Sequence, residues 1–297
     1  MQKRALITGL TGFTGYYMER ELLAAGYEVH GLVSGSAALP HHHEADLCDV
    51  GSVRRVVRQV RPHVVVHLAG IAFVGHGLAE DFYRVNLVGS RNLLEVLAEE
   101  PDGLDCVLLA SSANVYGNRT DGVLTEEALP DPANDYAVSK LSMEYMARLW
   151  MPRLPIVITR PFNYTGVGQS ESFLIPKIVS HFRRKVEVIE LGNLDVWRDF
   201  SDVRTVASAY RGLVLNCPAG ETFNVCSGKA TSLREVLAMA ERITGHHIEV
   251  KVNPAFVRAN EVKTLTGSAA RLNAELPDWK TIDLQETLAW MCADATV

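Results

Sequence analysis

The sequence predicts an α/β fold built on a doubly wound parallel sheet. Two observations carry that prediction. Short apolar runs recur through the N-terminal half, separated by segments of ten to fifteen residues with helical spacing, the signature of βαβ units. A glycine-rich turn also joins the first apolar run directly to the first helical segment. Sheets of this kind are covered on both faces, so their strands read as continuous apolar runs.

The elements follow in order. Residues 4–8 (RALIT) read as a strand, and 16–25 as a helix with Met18, Leu22 and Leu23 on one side. After Gly26, residues 28–33 are again strand-like. Residues 53–60 are helical, 64–68 (VVVHL) a buried strand, 85–97 helical, 106–110 (CVLLA) a strand, 136–150 helical and 156–158 a strand. Beyond Pro161 the rhythm changes. Residues 163–200 are rich in Gly, Asn and Ser, with a helix near 175–182. Residues 203–215 are helical, 222–225 (TFNV) strand-like, and the tail from 233 to 297 reads as helical and polar around a loop at 254–267. The expected division is one lobe of residues 1–162 plus about 201–225, and a smaller C-terminal α/β lobe of 163–200 and 226–297. No internal repeat or low-complexity linker interrupts it. The run His41-His42-His43 reads as a solvated loop, because three adjacent residues cannot all point at one ion without strain; no metal site is expected.

Composition narrows the function. The chain has 297 residues, 47% apolar and 22% charged, with 29 basic against 35 acidic side chains for a formal charge of −6. It lacks the basic excess of a nucleic-acid or anionic-membrane binder. An anionic small molecule stays possible, since a few arginines and a helix N-terminus hold phosphates whatever the net charge. The five cysteines, Cys48, Cys106, Cys217, Cys226 and Cys292, are odd in number and form no Cys-x-x-Cys pair; they read as thiols of a reducing compartment. The apolar stretch after Lys3 and Arg4 is broken at Gly9, Gly12 and Gly15, and no run approaches the roughly 18 residues of a membrane span. The expected setting is cytoplasmic. The arginines at 54, 55, 58 and 61, and Arg183-Arg184-Lys185, read as solvated helix faces.

The turn Gly9-Leu10-Thr11-Gly12-Phe13-Thr14-Gly15 leaves the first strand and opens the first helix, the context that makes a glycine pattern a Rossmann-type dinucleotide signal. The turn needs backbone freedom, the pyrophosphate needs close approach, and the helix must pack tightly on the strand; each glycine meets one demand. The second strand ends Val29-His30-Gly31-Leu32-Val33-Ser34-Gly35. It has no carboxylate to bind the ribose hydroxyls of NAD, so NADP(H) is favoured over NAD(H), with Ser34 beside the extra phosphate. No arginine stands there to grip that phosphate, which keeps NAD open.

Tyr136 and Lys140 stand at i and i+4, on one face of a helix. An ammonium beside a phenol favours the phenolate, so the expectation is that Lys140 lowers the pKa of Tyr136 and makes it a general acid or base. Ser112, at the end of the 106–110 strand, would bind a carbonyl oxygen alongside it. The three are the expected catalytic residues.

With these motifs in place, the sequence resembles the extended short-chain dehydrogenases/reductases that act on nucleotide sugars. Further residues carry the resemblance: Asp46-Leu47, which in such proteins flank the adenine; His67-Leu68-Ala69-Gly70 along the cofactor strand; Asn86, Gly89 and Asn92-Leu93-Leu94-Glu95; and Arg160-Pro161-Phe162-Asn163 between nicotinamide and sugar. It implies that Pro161 and Phe162 line the cofactor site and that Asn114 and Asn163 face the sugar. The family's dehydratases carry Glu, often after Asp, where this chain has Asn114 after Ala113. Neutral side chains cannot strip a sugar proton, which leaves reduction or epimerisation. The C-terminal half, through Arg198-Asp199-Phe200, Arg258-Ala259-Asn260-Glu261 and Leu265-Thr266-Gly267-Ser268, looks like the branch that reduces GDP-4-keto-6-deoxy-D-mannose to GDP-D-rhamnose. That likeness implies Arg198 and Arg258 on the diphosphate, Glu261 on the ribose and Lys177 nearby. Ala259 departs from the branch, where proline is usual, as does Asn114, where some reductases carry an acid. The resemblance also implies a homodimer formed through helices 85–97 and 136–150. The competing expectations are a 4-epimerase that keeps its NAD and a non-catalytic dinucleotide sensor.

Overall fold

Seven parallel strands form the central sheet of the computed structural model, in the order Thr222–Val225, Ile156–Pro161, Cys106–Ala110, Val64–His67, Arg4–Thr8, Glu28–Val33 and His42–Glu44. The structure describes residues 2–294 apart from 36, 38, 73–77, 120–121 and 257–262. Alternate residues of each strand enter opposite cores, as the two-residue pleat requires. Ile7, Val64, Val66, Leu108 and Val157 meet Met18 and Leu22 of helix Phe13–Ala24 and Tyr210 and Leu213 of helix Val203–Asn216. Leu6, Val65, Val107, Leu109 and Ile158 meet Val53 and Val57 of helix Val50–Val60, Leu93 and Leu97 of Ser90–Glu99, and Met143 of Asp135–Arg148. Helices on both faces make this the doubly wound arrangement. Its strand order reverses between Arg4–Thr8 and Val64–His67, and a crevice opens there at the strands' C-terminal ends.

Two differences from the sequence reading lie in this half. The helix expected over 85–97 is the end of a longer helical run: Ala79–Phe82, a π-helical stretch Tyr83–Gly89, and Ser90–Glu99. Ser90 Oγ donates to the Asn86 carbonyl at 2.6 Å, and the widened turn buries Asn86 completely. The histidine run is no loop. Gly31, Leu32 and Val33 pair with His42, His43 and Glu44 as an edge strand, and His43 sits 3.1 Å from His30. Among the described residues, no group of three or more His, Cys, Asp or Glu is placed to hold a metal, and no helix is long and apolar enough to cross a membrane.

The other half holds more strand than its composition implies. Trp197–Asp202 lies between Ala230–Ser232 and Thr264–Gly267, pairs with Asn163–Thr165, and belongs to a sheet that Val123–Leu124 completes. Val188–Leu191 and Glu249–Val252 form a separate parallel pair. These strands are short and polar, so they carry little pattern; Asp199, Ser201 and Asp202 are buried all the same. The tail is likewise not uniformly helical or polar. It contributes the strands Glu249–Val252 and Thr264–Gly267, while Val236, Ala240, Leu288 and Met291 pack with Ile178, Phe182 and Ile189 in a core of their own.

Asp202 ties these parts together. Its carboxylate caps helix Val203–Asn216 by accepting from Arg204 N at 2.7 Å. It also takes both arms of the Arg204 guanidinium, at 3.0 and 2.7 Å, and the Thr287 hydroxyl of the last helix at 2.8 Å. Removing it strips a cap and the acceptor of the Arg204 guanidinium, and leaves the Thr287 hydroxyl only its bond to the Asp283 carbonyl at 3.1 Å. Asp202→Ala is expected to lower unfolding stability by about 2 kcal/mol or more, measured by urea denaturation; a loss under about 0.5 kcal/mol contradicts this account.

Candidate active site

A cleft of about 1060 Å³ opens at the strand-order reversal and runs into the second sheet. Its floor is the glycine turn. Gly9 has φ +73°, a left-handed conformation, and a Cβ there would meet the Ala69 backbone nitrogen at 2.9 Å. A Cβ on Gly15 would come within 2.4 Å of the Gly9 carbonyl oxygen, so only glycine lets the helix close on the strand this tightly. Gly12 caps helix Phe13–Ala24 with no side-chain hydrogen bond. The first-turn N–H groups are therefore left for an anion, and the cradle fits a dinucleotide pyrophosphate.

A buried chain of hydrogen bonds holds the two strands that flank this cradle. Ala69 N donates to Thr8 Oγ1 at 3.1 Å, and Thr8 Oγ1 lies 2.7 Å from His67 Nδ1. His67 Nε2 lies 2.8 Å from Ser90 Oγ, whose hydrogen is committed to the Asn86 carbonyl. Nε2–H therefore donates to Ser90, and in the neutral ring Nδ1 accepts from Thr8. The ring must stay neutral. Burial, with the Lys140 charge in support, pushes the His67 pKa down to about 3. Asn86 closes the chain on the cleft side by accepting from Ile71 N at 2.8 Å and donating to Ser139 Oγ at 3.0 Å.

Ser112, Tyr136 and Lys140 converge on the cleft wall. Ser112 Oγ accepts from Asn114 N at 3.2 Å and Asn114 Nδ2 at 3.1 Å. With its lone pairs engaged, the serine is left as a hydrogen-bond donor. Lys140 Nζ donates to the Ala110 carbonyl at 2.8 Å. The expectation that Lys140 lowers the Tyr136 pKa is overturned. Burial pushes the phenol up to about 12, only partly opposed by its hydrogen bond to Ser112. The same burial brings Lys140 down to about 8, with Glu144 resisting. At neutral pH the phenol therefore carries its proton and the lysine its charge.

The rest of the cleft wall is electrostatically one-sided. Among the described residues it contains Lys140, Lys177 and Arg198 and no Asp or Glu. The pattern that defines the GDP-mannose 4,6 dehydratase family matches residues 6–291. The chain belongs to that family. It is an extended short-chain dehydrogenase/reductase and an enzyme of the oxidoreductase class, as the motifs implied. The chain is 34% identical to a GDP-6-deoxy-D-talose 4-dehydrogenase of Aggregatibacter actinomycetemcomitans, over 91% of this chain and 90% of that one. It is 33% identical to a GDP-6-deoxy-D-mannose reductase of Pseudomonas aeruginosa, over 99% and 97%. Among solved structures, a candidate epimerase of Burkholderia cenocepacia J2315 is 53% identical, with TM-score 0.92 over 98% and 97% of the two chains. The Pseudomonas aeruginosa protein RMD, solved with NADPH, is 32% identical, with TM-score 0.85 over 98% of each.

Against this family background, the expected site residues divide into three groups. Gly9, Gly12, Phe13, Thr14, Gly15, Leu68, Gly70, Pro161 and Phe162 line the cleft beside Tyr136 and Lys140, and Asn114, Asn163, Lys177 and Arg198 line it toward the second sheet. Lys177 is not simply solvated: Nζ donates to the Glu190 carbonyl at 2.8 Å and lies 4.8 Å from the centre of the Phe256 ring. Thr11, Ser34, Asp46, Leu47 and Ala69 do not line the cleft. Thr11, Ser34 and Asp46 are exposed and Leu47 is buried, while Ala69 contributes its backbone through Thr8. Arg258 and Glu261, with the departure at Ala259, lie outside the described residues.

Sequence reasoning missed Tyr164, whose hydroxyl is 2.8 Å from Thr14 Oγ1 and whose ring stacks on Phe13, closing the end of the glycine turn. Nothing in the local sequence marks that contact, since it joins residues 150 positions apart. It also missed Glu144, although Tyr136, Lys140 and Glu144 fall at i, i+4 and i+8 on one helix face.

The neutral His67 has a consequence for stability. The unfolded chain takes up this proton near pH 6.5, the folded chain only near 3. Between those values the unfolded state binds more protons, so this contribution is complete above pH 6.5 and is lost as pH falls toward 3. His67→Gln, which keeps a donor and an acceptor, should flatten the fall of Tm across that window; an unchanged pH dependence contradicts the assignment.

Proposed function

We propose that this chain is an NADP(H)-dependent reductase of the C4 ketone of a GDP-linked 4-keto-6-deoxyhexose. It would turn GDP-4-keto-6-deoxy-D-mannose into GDP-D-rhamnose, in the cytoplasmic synthesis of deoxysugar precursors for glycans. The observation that carries this reading is the cleft wall: a hydroxyl donor and a protonated phenol beside the glycine cradle, three cations, and no carboxylate among the described residues. The cations suit a diphosphate. The absence of a carboxylate there, with Asn114 beside Ser112, leaves no base for the sugar proton that dehydration must remove. The names of the two relatives support a GDP-linked 6-deoxyhexose. The NADPH in the Pseudomonas aeruginosa structure, and a second strand that ends at Val33 and runs into Ser34 with no acid at that end, support the phosphorylated cofactor.

In this reading residues 1–162 and about 201–225 hold the cofactor, and 163–200 with 226–297 hold the sugar nucleotide. Arg198 and Arg258 take the diphosphate, with guanidinium forks matched to phosphate oxygens. Glu261 takes the ribose hydroxyls, and Asn163 and Lys177 complete that side. When bound, the reduced nicotinamide supplies a hydride to the carbonyl carbon. Ser112 donates a hydrogen bond to the carbonyl oxygen and orients it. Tyr136 holds a proton at its phenolic oxygen and gives it to that oxygen as charge develops, which leaves an alcohol. Lys140, anchored on Ala110, faces Gly70 and holds the ribose next to the nicotinamide. A homodimer would pair helices 79–99 and 135–148, which expose Val88, Tyr145 and, just past the second, Leu149.

Incubation with GDP-4-keto-6-deoxymannose and NADPH, read by NMR at C4 of the sugar, tests the proposal. Purified protein that retains NAD and inverts C4 without consuming NADPH would instead be an epimerase, the activity for which the Burkholderia structure is a candidate. Tyr136→Phe should cut kcat by about 10²- to 10⁴-fold with cofactor affinity kept; undiminished NADPH oxidation rules out the assigned proton donor. Since Lys140 loses its charge near pH 8 and Tyr136 keeps its proton to about 12, the reduction rate should fall as pH rises through about 8. Lys140→Arg should move that fall to higher pH, and an identical profile contradicts the assignment.

A further inference from the structure

Behind the catalytic wall lies a buried ion pair that the proposed chemistry does not use. Glu144 and Arg160 have side chains 1% and 4% exposed. Arg160 Nε donates to Glu144 Oε1 at 3.0 Å and Nη2 to Oε2 at 2.6 Å, a two-pronged contact. Ser111, the neighbour of Ser112, donates to the same Oε1 at 2.6 Å. The remaining arm of Arg160 donates to the Tyr116 hydroxyl at 3.0 Å, which in turn donates to Asn224 Oδ1 at 2.7 Å. A buried pair is a weak source of stability, because desolvation offsets its attraction. Its place in the fold gives it another role. Glu144 stands one turn beyond Lys140 on the same helix face, Ser111 leads into Ser112, and Arg160 begins the segment that brings Pro161, Phe162 and Asn163 to the cleft.

We infer that Glu144 is a positioning residue of the reaction: held by Arg160 and Ser111, it locks the Ser112 loop to the Lys140 turn and supplies the counter-charge that keeps Lys140 a cation. This rests on the reductase reading of Ser112, Tyr136 and Lys140. Around Lys140, Glu144 is the charge that favours its protonated form. Tyr136 on the same helix is neutral, as is His67 on strand Val64–His67. Strand Cys106–Ala110 offers the Ala110 carbonyl, the π-helical stretch offers the amide of Asn86, and Arg160 stands behind Glu144 rather than facing Lys140. A carboxylate one turn away in so dry a setting has a large effect on an amine.

The test compares pH–rate profiles of wild type, Glu144→Gln and Ser111→Ala in keto-sugar reduction. A second readout is the titration of the Lys140 side chain by NMR in labelled protein with bound NADPH and no substrate, assigned with Lys140→Arg. Glu144→Gln should shift both the alkaline fall in rate and the Lys140 titration to lower pH by about one unit. Ser111→Ala should lower kcat at least threefold and leave both midpoints in place. Should Glu144→Gln not fold with Arg160 unpaired, Glu144→Gln/Arg160→Gln removes both charges and should shift both midpoints in the same direction by less, since the nearer charge decides the sign. A Lys140 titration unmoved by loss of Glu144 overturns the inference, and so does Ser111→Ala with wild-type kcat. Failure of the reductase reading looks different: wild type reduces no keto sugar, while the NMR titration still reports on Glu144.

Discussion

One hydrogen bond, between Thr8 and His67, joins the two strands where the sheet changes direction, and much of the site hangs from it. It is made between side chains that are almost wholly buried, a setting that keeps the imidazole neutral, and its polarity passes on through Ser90 to Asn86. Asn86 then fixes the backbone of Ile71, just beyond Gly70 and close to Lys140. The edge of the glycine cradle and the wall that bears helix Asp135–Arg148 are therefore two ends of one directed chain. A parallel sheet provides the crevice; this chain decides how its two sides face one another.

The second organising force is desolvation. Burial raises the Tyr136 pKa and lowers that of Lys140, in each case favouring the uncharged form. The two do not compensate each other through direct pairing, because Lys140 points to the Ala110 carbonyl. What offsets the burial of Lys140 is the carboxylate one turn along the helix, itself neutralised from behind by Arg160. Charge in this region is arranged in layers: a cation at the cleft, an anion beneath it, and a guanidinium beneath that. Toward the second sheet the cleft is cationic through Lys177 and Arg198, so an acidic protein presents a locally positive cavity.

The features legible in the sequence are those with a fixed period or a fixed local turn. Gly9, Gly12 and Gly15 announced the cradle because strand and helix flank them, and the i, i+4 spacing of Tyr136 and Lys140 announced that both face one cleft. The apolar runs of the central sheet were equally plain. Strands such as Trp197–Asp202 were not, since Asp199 and Asp202 sit inside through hydrogen bonds from distant residues, Ser227, Gly228 and Thr287. Nor can spacing report burial: the relation between Lys140 and Tyr136 was legible as proximity and came out opposite in its effect on the phenol. The contact between Tyr164 and Thr14 had no local signal at all.

The burial of Tyr136 also gives the catalyst a direction of readiness. With its pKa pushed up to about 12, the phenol is almost wholly protonated at pH 7, so in the proposed reaction the resting site is loaded with the proton that ketone reduction consumes. In the proposed reaction each turnover would leave behind a phenolate in a setting that disfavours it, and the group would recover by drawing a proton inward from water. Oxidation of the alcohol would have to begin from that rare ionised form. The overall equilibrium is untouched, but the idle protein waits in the state from which reduction starts.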